Sequence, residues 1–115
     1  MFLCIDVGNT RTKAAVYNAA GEAMDNIITE DNGIGPIEEL LLRSPAQHVI
    51  ISTTGEKKWE IASLGIKGRN IELSNDTPLP IQIVYTTPGT LGRDRIAAAC
   101  GAKALYPGKN CLVIS

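Results

Sequence analysis

The fold of this chain is decided by the stretch FLCIDVGNTRTK, residues 2–13. The apolar run Phe2–Val7 predicts a strand, and the Gly-Asn pair that follows it predicts a tight turn. A second strand is predicted over Thr12–Tyr17, so the two strands would pair as a hairpin. Asp6 then lies at the end of the first strand, beside turn N–H groups that can point outward.

Two interpretations fit this hairpin. Turn N–H groups can hold an anion and a neighbouring carboxylate can hold a divalent cation, which together suit a nucleotide phosphate with its magnesium. The pattern Asp-x-Gly-Asn is also common in ordinary hairpins, because Asn and Gly tolerate positive φ. The hairpin alone does not choose between the two, so the choice depends on residues further along the chain.

Composition and charge narrow the class of protein. The chain has 115 residues, of which 44% are hydrophobic and 20% charged, with a net charge of −1. This length suits one domain with a modest core. We predict no nucleic-acid partner, because there is no basic segment, and no membrane span, because the apolar runs are too short. The N-terminus lacks the features of a secretion signal, so we expect a cytoplasmic protein.

The remaining pattern predicts an α/β domain. Further strands are predicted at Met24–Thr29, His48–Ser52, Asn70–Leu73, Ile81–Tyr85 and Cys111–Ile114, and helices at Ile34–Arg43, Glu56–Leu64 and Thr90–Tyr106. The first three strands are joined by short turns and form an antiparallel meander, which is followed by βα units. We therefore predict a mixed five-stranded sheet with flanking helices.

A second polar cluster is PGTLGRDR, residues 88–95, which opens the last predicted helix. The helix macrodipole favours Asp94 in the first turn but disfavours the arginines on either side, which suggests that they bind something. Asp94 could act as a general base toward a substrate hydroxyl, and Arg95 could hold a polar substrate. The alternative is an ordinary helix start whose charges are solvated.

Together the two clusters resemble the N-terminal half of a type III pantothenate kinase. The matching residues are Asp6-Val7-Gly8-Asn9-Thr10, Lys13, Tyr85, Pro88-x-Thr90-Leu91-Gly92-x-Asp94-Arg95, Gly101-Ala102 and Tyr106-Pro107. This family belongs to the actin-like, sugar-kinase superfamily, in which two ribonuclease H-like domains close on ATP. The resemblance thus implies an actin-like ATPase domain.

The resemblance also implies an activity, which is transfer of the ATP γ-phosphate to the primary alcohol of pantothenate at the start of coenzyme A biosynthesis. The implied ATP-binding residues are Asp6, Val7, Gly8, Asn9, Thr10, Arg11, Thr12 and Lys13, and the implied pantothenate-binding residues are Tyr85, Gly92, Arg93, Asp94 and Arg95. Magnesium is implied at Asp6 and the catalytic base at Asp94. A monovalent cation (potassium or ammonium) and a homodimer are also implied.

The chain departs from the family pattern at its end. Family members are much longer, and after the strand corresponding to Cys111–Ile114 they continue with an Asp that is associated with the monovalent cation. Ser115 stands at that position here. We expect residues 1–109 to form the N-terminal domain, residues 110–115 to begin a second domain, and the chain alone to be inactive. The alternatives are a non-catalytic nucleotide-binding module, a regulatory protein of the kind labelled transcriptional activator, or another kinase of the superfamily.

Overall fold

The computed structural model describes residues 1–114 and contains one mixed sheet with two α-helices. The strands are β1 (Phe2–Val7), β2 (Thr12–Tyr17), β3 (Ala23–Thr29), β4 (His48–Thr53) and β5 (Asn70–Glu72), and the α-helices are α1 (Gly35–Arg43) and α2 (Arg93–Leu105). The strand order is β3-β2-β1-β4-β5. Strands β1, β2 and β3 pair antiparallel, whereas β4 lies parallel to both β1 and β5. The predicted α/β fold with a three-strand meander is confirmed.

The hydrophobic core lies on one face of the sheet. Leu3, Ile5 and Val7 alternate along β1 and are almost fully buried on that face. Helix α1 packs Ile37 and Leu40 into the same cluster, because the two residues are three positions apart and share one helix side. The intervening residues of β1 point to the opposite face of the sheet, where the polar groups of the site collect.

Helix α2 covers part of this second face, beside β4. Ile96 is the buried residue of the helix, with 4% of its surface exposed. The rest of the face stays open, and its apolar side chains Ile28 and Ile50 are 63% and 38% exposed. The second face is therefore a groove with α2 as one wall. No helix in the described part of the chain is long and apolar enough to cross a membrane.

The helix predicted at Glu56–Leu64 is wrong, because the structure has only a short 3₁₀ turn at Ile61–Leu64. The preceding residues run as a loop in which Lys57 Nζ donates a 2.6 Å hydrogen bond to the carbonyl oxygen of Trp59. Trp59 packs on the core from this loop, and Gly65 ends the turn with a φ of 67°. Burial of Trp59 thus decides the local conformation, against the helical spacing of the sequence.

Two of the predicted strands are also wrong. Residues 81–85 and 111–114 form no strand in the described chain. A strand needs a neighbouring backbone to pair with, and these segments are solvated instead: Val84 is 90% exposed and Leu112 is 88% exposed. The division at residues 109 and 110 remains a prediction, and Ser115 lies outside the described residues.

The last helix starts later than its sequence predicts. Residues Pro88–Thr90 form a separate 3₁₀ turn, and α2 begins at Arg93 with Gly92 as its N-cap. The remaining elements differ from prediction by one residue at an end, as at β3, α1, β4 and β5. With this start, Asp94 lies in the first turn of α2, where the sequence analysis expected it.

Candidate active site

The β1–β2 turn presents free backbone donors at the end of the hairpin. The Gly8 N–H donates to the Arg11 carbonyl oxygen at 2.9 Å and closes the turn. In the described chain, the N–H groups of Asn9 and Thr10 make no such bond, and both residues are exposed. Free N–H groups in a tight turn can bind an anion. These free donors are compatible with phosphate binding, which stays a prediction.

Within the predicted phosphate-binding segment, the side chains divide between the two faces of the sheet. Val7 and Thr12 are 1% and 3% exposed and point into the core. They can contribute only backbone to a ligand. Asp6 and Lys13 are paired across β1 and β2 and lie on the open face, while Arg11 is exposed in the turn. Within this segment, Asp6 and Lys13 thus present side chains to the site, whereas Val7 and Thr12 shape the turn.

The loop after β4 packs against this turn. The N–H groups of Thr54 and Gly55 donate to the Val7 carbonyl oxygen at 2.8 and 3.1 Å. A Cβ at Gly55 would lie 2.6 Å from the Gly8 carbonyl carbon and 3.0 Å from the Asn9 nitrogen, closer than real contacts allow. Only glycine fits there without displacing the turn. The sequence alone does not mark Gly55, because a contact across more than forty residues leaves no local signal.

The groove on the second face has a volume of about 530 Å³ and collects the polar groups. Its polar lining side chains are Asp6, Lys13, Tyr17, Asn26, Ser52 and Asp94. The hairpin and the first turn of α2 therefore line one cavity. Ser52 was not foreseen as part of it, since an apolar strand ending in serine is common.

The ionised form of the Asp6 carboxyl group is disfavoured in this groove. Burial raises the pKa of its carboxyl above the ordinary value of 3.8, and the nearby charge of Asp94 raises the pKa further. Lys13 acts in the opposite direction. The Asp6 Oδ1 atom is buried and accepts no hydrogen bond from the described residues. A bound cation would relieve both the repulsion and the missing interaction.

Asp6 fits a magnesium ligand on chemical grounds. Mg²⁺ prefers hard carboxylate oxygens and needs only one or two of them, because it keeps several of its waters. No group of three His, Cys, Asp or Glu side chains comes together as a metal cage within residues 1–114. A hydrated ion held beside a phosphate suits this donor set better than a fully enclosed metal site.

The start of α2 places its charged residues in different surroundings. Arg93 is half-buried, with Nη1 donating a 3.4 Å bond to the Thr53 carbonyl oxygen and with a buried, unpaired Nε. Asp94 is exposed to the groove. Arg95 lines a separate cavity with Ala98 on the other side of the helix. Arg93 thus ties α2 to β4, while Asp94 faces Asp6.

Of the predicted substrate-binding residues, Asp94 lines the groove, whereas Tyr85, Gly92, Arg93 and Arg95 do not. Tyr85 is 49% exposed and lies in a segment without regular structure. Gly92 lies next to the site as the N-cap, where a Cβ would come within 2.6 Å of Asp94 Oδ1. A side chain at Gly92 would therefore move the carboxylate. Contact of either residue with pantothenate remains a prediction.

Replacing Asp6 with Asn is expected to stabilise the chain at neutral pH. The raised pKa means that the folded state binds a proton at Asp6 more tightly than the unfolded chain does. This contribution to stability is present below the ordinary pKa of 3.8 and is lost as pH rises through the folded pKa. We expect Asp6→Asn to be more stable than wild type at about pH 7, and to match it at low pH.

Urea unfolding across this pH range checks the result. The matched control is Asp76→Asn, because Asp76 is exposed and lies outside the groove lining. A gain for Asp6→Asn that does not depend on pH, or an equal gain for Asp76→Asn, would contradict the electrostatic explanation.

This fold is consistent with an actin-like α/β domain, in which the hairpin that carries Asp6 and the start of α2 that carries Asp94 line one groove. The chain belongs to the type III pantothenate kinase family, since a sequence model of that family matches residues 2–115. It is 36% identical over 120 residues to a type III pantothenate kinase of Phocaeicola vulgatus, covering 99% of this chain and 48% of that protein. It is also 32% identical over 117 residues to the Flavobacterium johnsoniae relative of the same name, with coverages of 99% and 48%.

A third relative, the type III pantothenate kinase of Cytophaga hutchinsonii, is 34% identical over 112 residues, covering 97% of this chain and 46% of that protein. The chain therefore spans about half the length of the curated relatives it matches.

Proposed function

We propose that this chain forms the N-terminal half of a kinase that transfers the γ-phosphate of ATP to pantothenate, giving 4'-phosphopantothenate for coenzyme A biosynthesis. The observation that carries the proposal is the shared groove, which brings the hairpin carboxylate Asp6 and the helix carboxylate Asp94 together from opposite ends of the chain. Phosphoryl transfer needs such an arrangement, because it depends on positioned phosphates, neutralised charge and an oriented hydroxyl.

Each residue has a distinct part in this reaction. The turn N–H groups of Asn9 and Thr10 bind phosphate oxygens, and Lys13 adds a positive charge on the same side. Magnesium held at Asp6 would neutralise phosphate charge when bound. Asp94 accepts the proton of the pantothenate hydroxyl as the new O–P bond forms and the bond to ADP breaks.

The two arginines at the start of α2 act on the part of the site that would bind pantothenate, the phosphate acceptor. Arg93 is anchored to β4 and holds the first turn of α2 in place. Arg95 is exposed and, by the family resemblance, contacts pantothenate. We also carry over from the resemblance a homodimer, a cytoplasmic location and a monovalent cation, although the position expected for that cation, Ser115, lies outside the described residues.

The 115-residue chain alone is expected not to phosphorylate pantothenate at a useful rate. It spans about half the length of its relatives, and closure of a second domain is what excludes water and completes such a site. A chimera supplies that half: residues 1–115 followed by the part of the Phocaeicola vulgatus relative that this chain does not match. We expect a coupled ADP-release assay to show pantothenate-dependent turnover for the chimera and none for the chain.

Calorimetry on the chain provides a second measurement. Binding of both MgATP and pantothenate supports the proposal, whereas binding of MgATP without pantothenate would favour the non-catalytic nucleotide-binding module. A chimera that shows cooperative thermal unfolding but no turnover, together with a chain that binds neither ligand, would overturn the proposed function.

A further inference from the structure

Two buried polar atoms lie next to each other on the groove floor without hydrogen bonds. They are Asp6 Oδ1 and Ser52 Oγ, and neither has a partner among the described residues. Ser52 is 7% exposed, so its hydroxyl has almost no access to bulk water. A buried polar group without a partner is destabilising, and such groups therefore call for an explanation.

The sheet register makes these two residues neighbours. Asp6 pairs with Ser52 in the parallel ladder between β1 and β4, so both side chains lie on the same face of adjacent strands. Neighbouring strands are separated by about 4.8 Å, within reach of a hydrogen bond between a serine hydroxyl and a carboxylate. The serine hydroxyl can take different χ1 rotamers, so the register allows it to be aimed at the carboxylate.

The two oxygens of Asp6 have different surroundings. Oδ1 is buried and has no partner among the described residues, while Asp6 as a residue lines the groove. A donor on Oδ1 would fix the carboxylate plane and leave Oδ2 free for a ligand. Ser52 is the neutral donor that the structure places beside Oδ1, and a hydroxyl carries one proton to donate.

We propose that Ser52 is a positioning residue for Asp6, whose hydroxyl donates to Oδ1 in the nucleotide-bound state and turns Oδ2 toward the metal–phosphate ligand. This inference rests on the proposed function, because it assumes that Asp6 meets a nucleotide-bound cation. It accounts for a buried polar side chain beside the apolar residues of β4, and it assigns a role to a residue outside both sequence clusters.

The test uses Ser52→Ala and Ser52→Thr, with Ser63→Ala as the control on an exposed serine of the 3₁₀ turn. Affinity of the 115-residue chain for Mn²⁺·ATP is measured by calorimetry, and the Mn²⁺ environment by electron paramagnetic resonance. We expect Ser52→Ala to weaken Mn²⁺·ATP binding by about 10-fold, the effect of one hydrogen bond to a charged group, and to change the Mn²⁺ spectrum. Ser52→Thr keeps the hydroxyl and restores both, and Ser63→Ala changes neither.

A second readout separates positioning from a general structural effect. In the chimera, Ser52→Ala is expected to raise the KM for MgATP and to leave the KM for pantothenate unchanged. A uniform loss of affinity for both substrates with a lowered Tm would overturn the positioning role, as would wild-type Mn²⁺·ATP affinity in Ser52→Ala when Asp6→Asn loses it. Absence of ATP binding in the wild-type chain and of turnover in the wild-type chimera would instead overturn the proposed function.

Discussion

Replacing Asp94 with Asn in the two-domain chimera is expected to lower kcat by about 10²- to 10⁴-fold, the usual contribution of a positioned general base. Asn cannot accept the proton of the pantothenate hydroxyl, but it has nearly the same shape as Asp. Asp94 is exposed at the first turn of α2, so the substitution disturbs no buried contact of the described chain. Affinity for MgATP is expected to stay within a few-fold of wild type.

The measurement is steady-state turnover with both substrates saturating, alongside calorimetric titration of MgATP. Asp76→Asn is the matched control, since it removes an equal charge from an exposed site away from the groove. If Asp94→Asn kept near-normal kcat, Asp94 would have to be a helix-terminal charge that is favourable at the N-terminus of α2 and not the base. If both variants lost turnover equally, net charge would be the cause.

Replacing Gly55 with Ala is expected to abolish measurable MgATP binding and to lower the free energy of unfolding by about 1–3 kcal/mol, the usual cost of overpacking. The added Cβ would meet the Gly8 carbonyl and the Asn9 nitrogen, which are backbone atoms and cannot rotate away. The turn must therefore shift, and with it the N–H groups of Asn9 and Thr10 that face a phosphate.

Gly101→Ala is the control for this prediction. Gly101 lies inside α2, and a Cβ there would contact nothing within 4 Å. Alanine is favoured over glycine in a helix interior by about 0.5–1 kcal/mol, so this variant should be slightly more stable and bind MgATP normally. Chemical denaturation and calorimetry report both properties. Normal MgATP affinity in Gly55→Ala would show that the close approach of the two loops is dispensable for binding.

Local sequence patterns predicted most of the fold because the relevant contacts are local. The three-strand meander, α1 and β4 depend on apolar spacing and on turn residues within a few positions of each other. The wrong predictions concern segments whose residue spacing is typical of a helix or strand but whose surroundings do not support one. Residues 81–85 have the composition of a strand but no neighbouring strand to pair with. Trp59 packs on the core from a loop.

The residues of the candidate site also divide into those that the local sequence indicates and those that it does not. The chemistry of Asp6 and Asp94 could be inferred from their own neighbours, a Gly-Asn turn and a helix start. Ser52 and Gly55 could not, because their importance comes from the parallel pairing of β4 with β1. In the sequence, a serine and a glycine after an apolar run are unremarkable strand ends.

The sequence by itself determined the class of fold, the hairpin that carries Asp6 and the acidic helix start at Asp94, since each is encoded by residues adjacent in the chain. Only the tertiary structure decided that these two carboxylates face one groove, that Ser52 lies beside Asp6 and that Gly55 holds the turn. Those relations depend on the β1–β4 register and on the packing of α2, which join residues about 45 to 90 positions apart. Long-range packing, and not local propensity, therefore assembles the site.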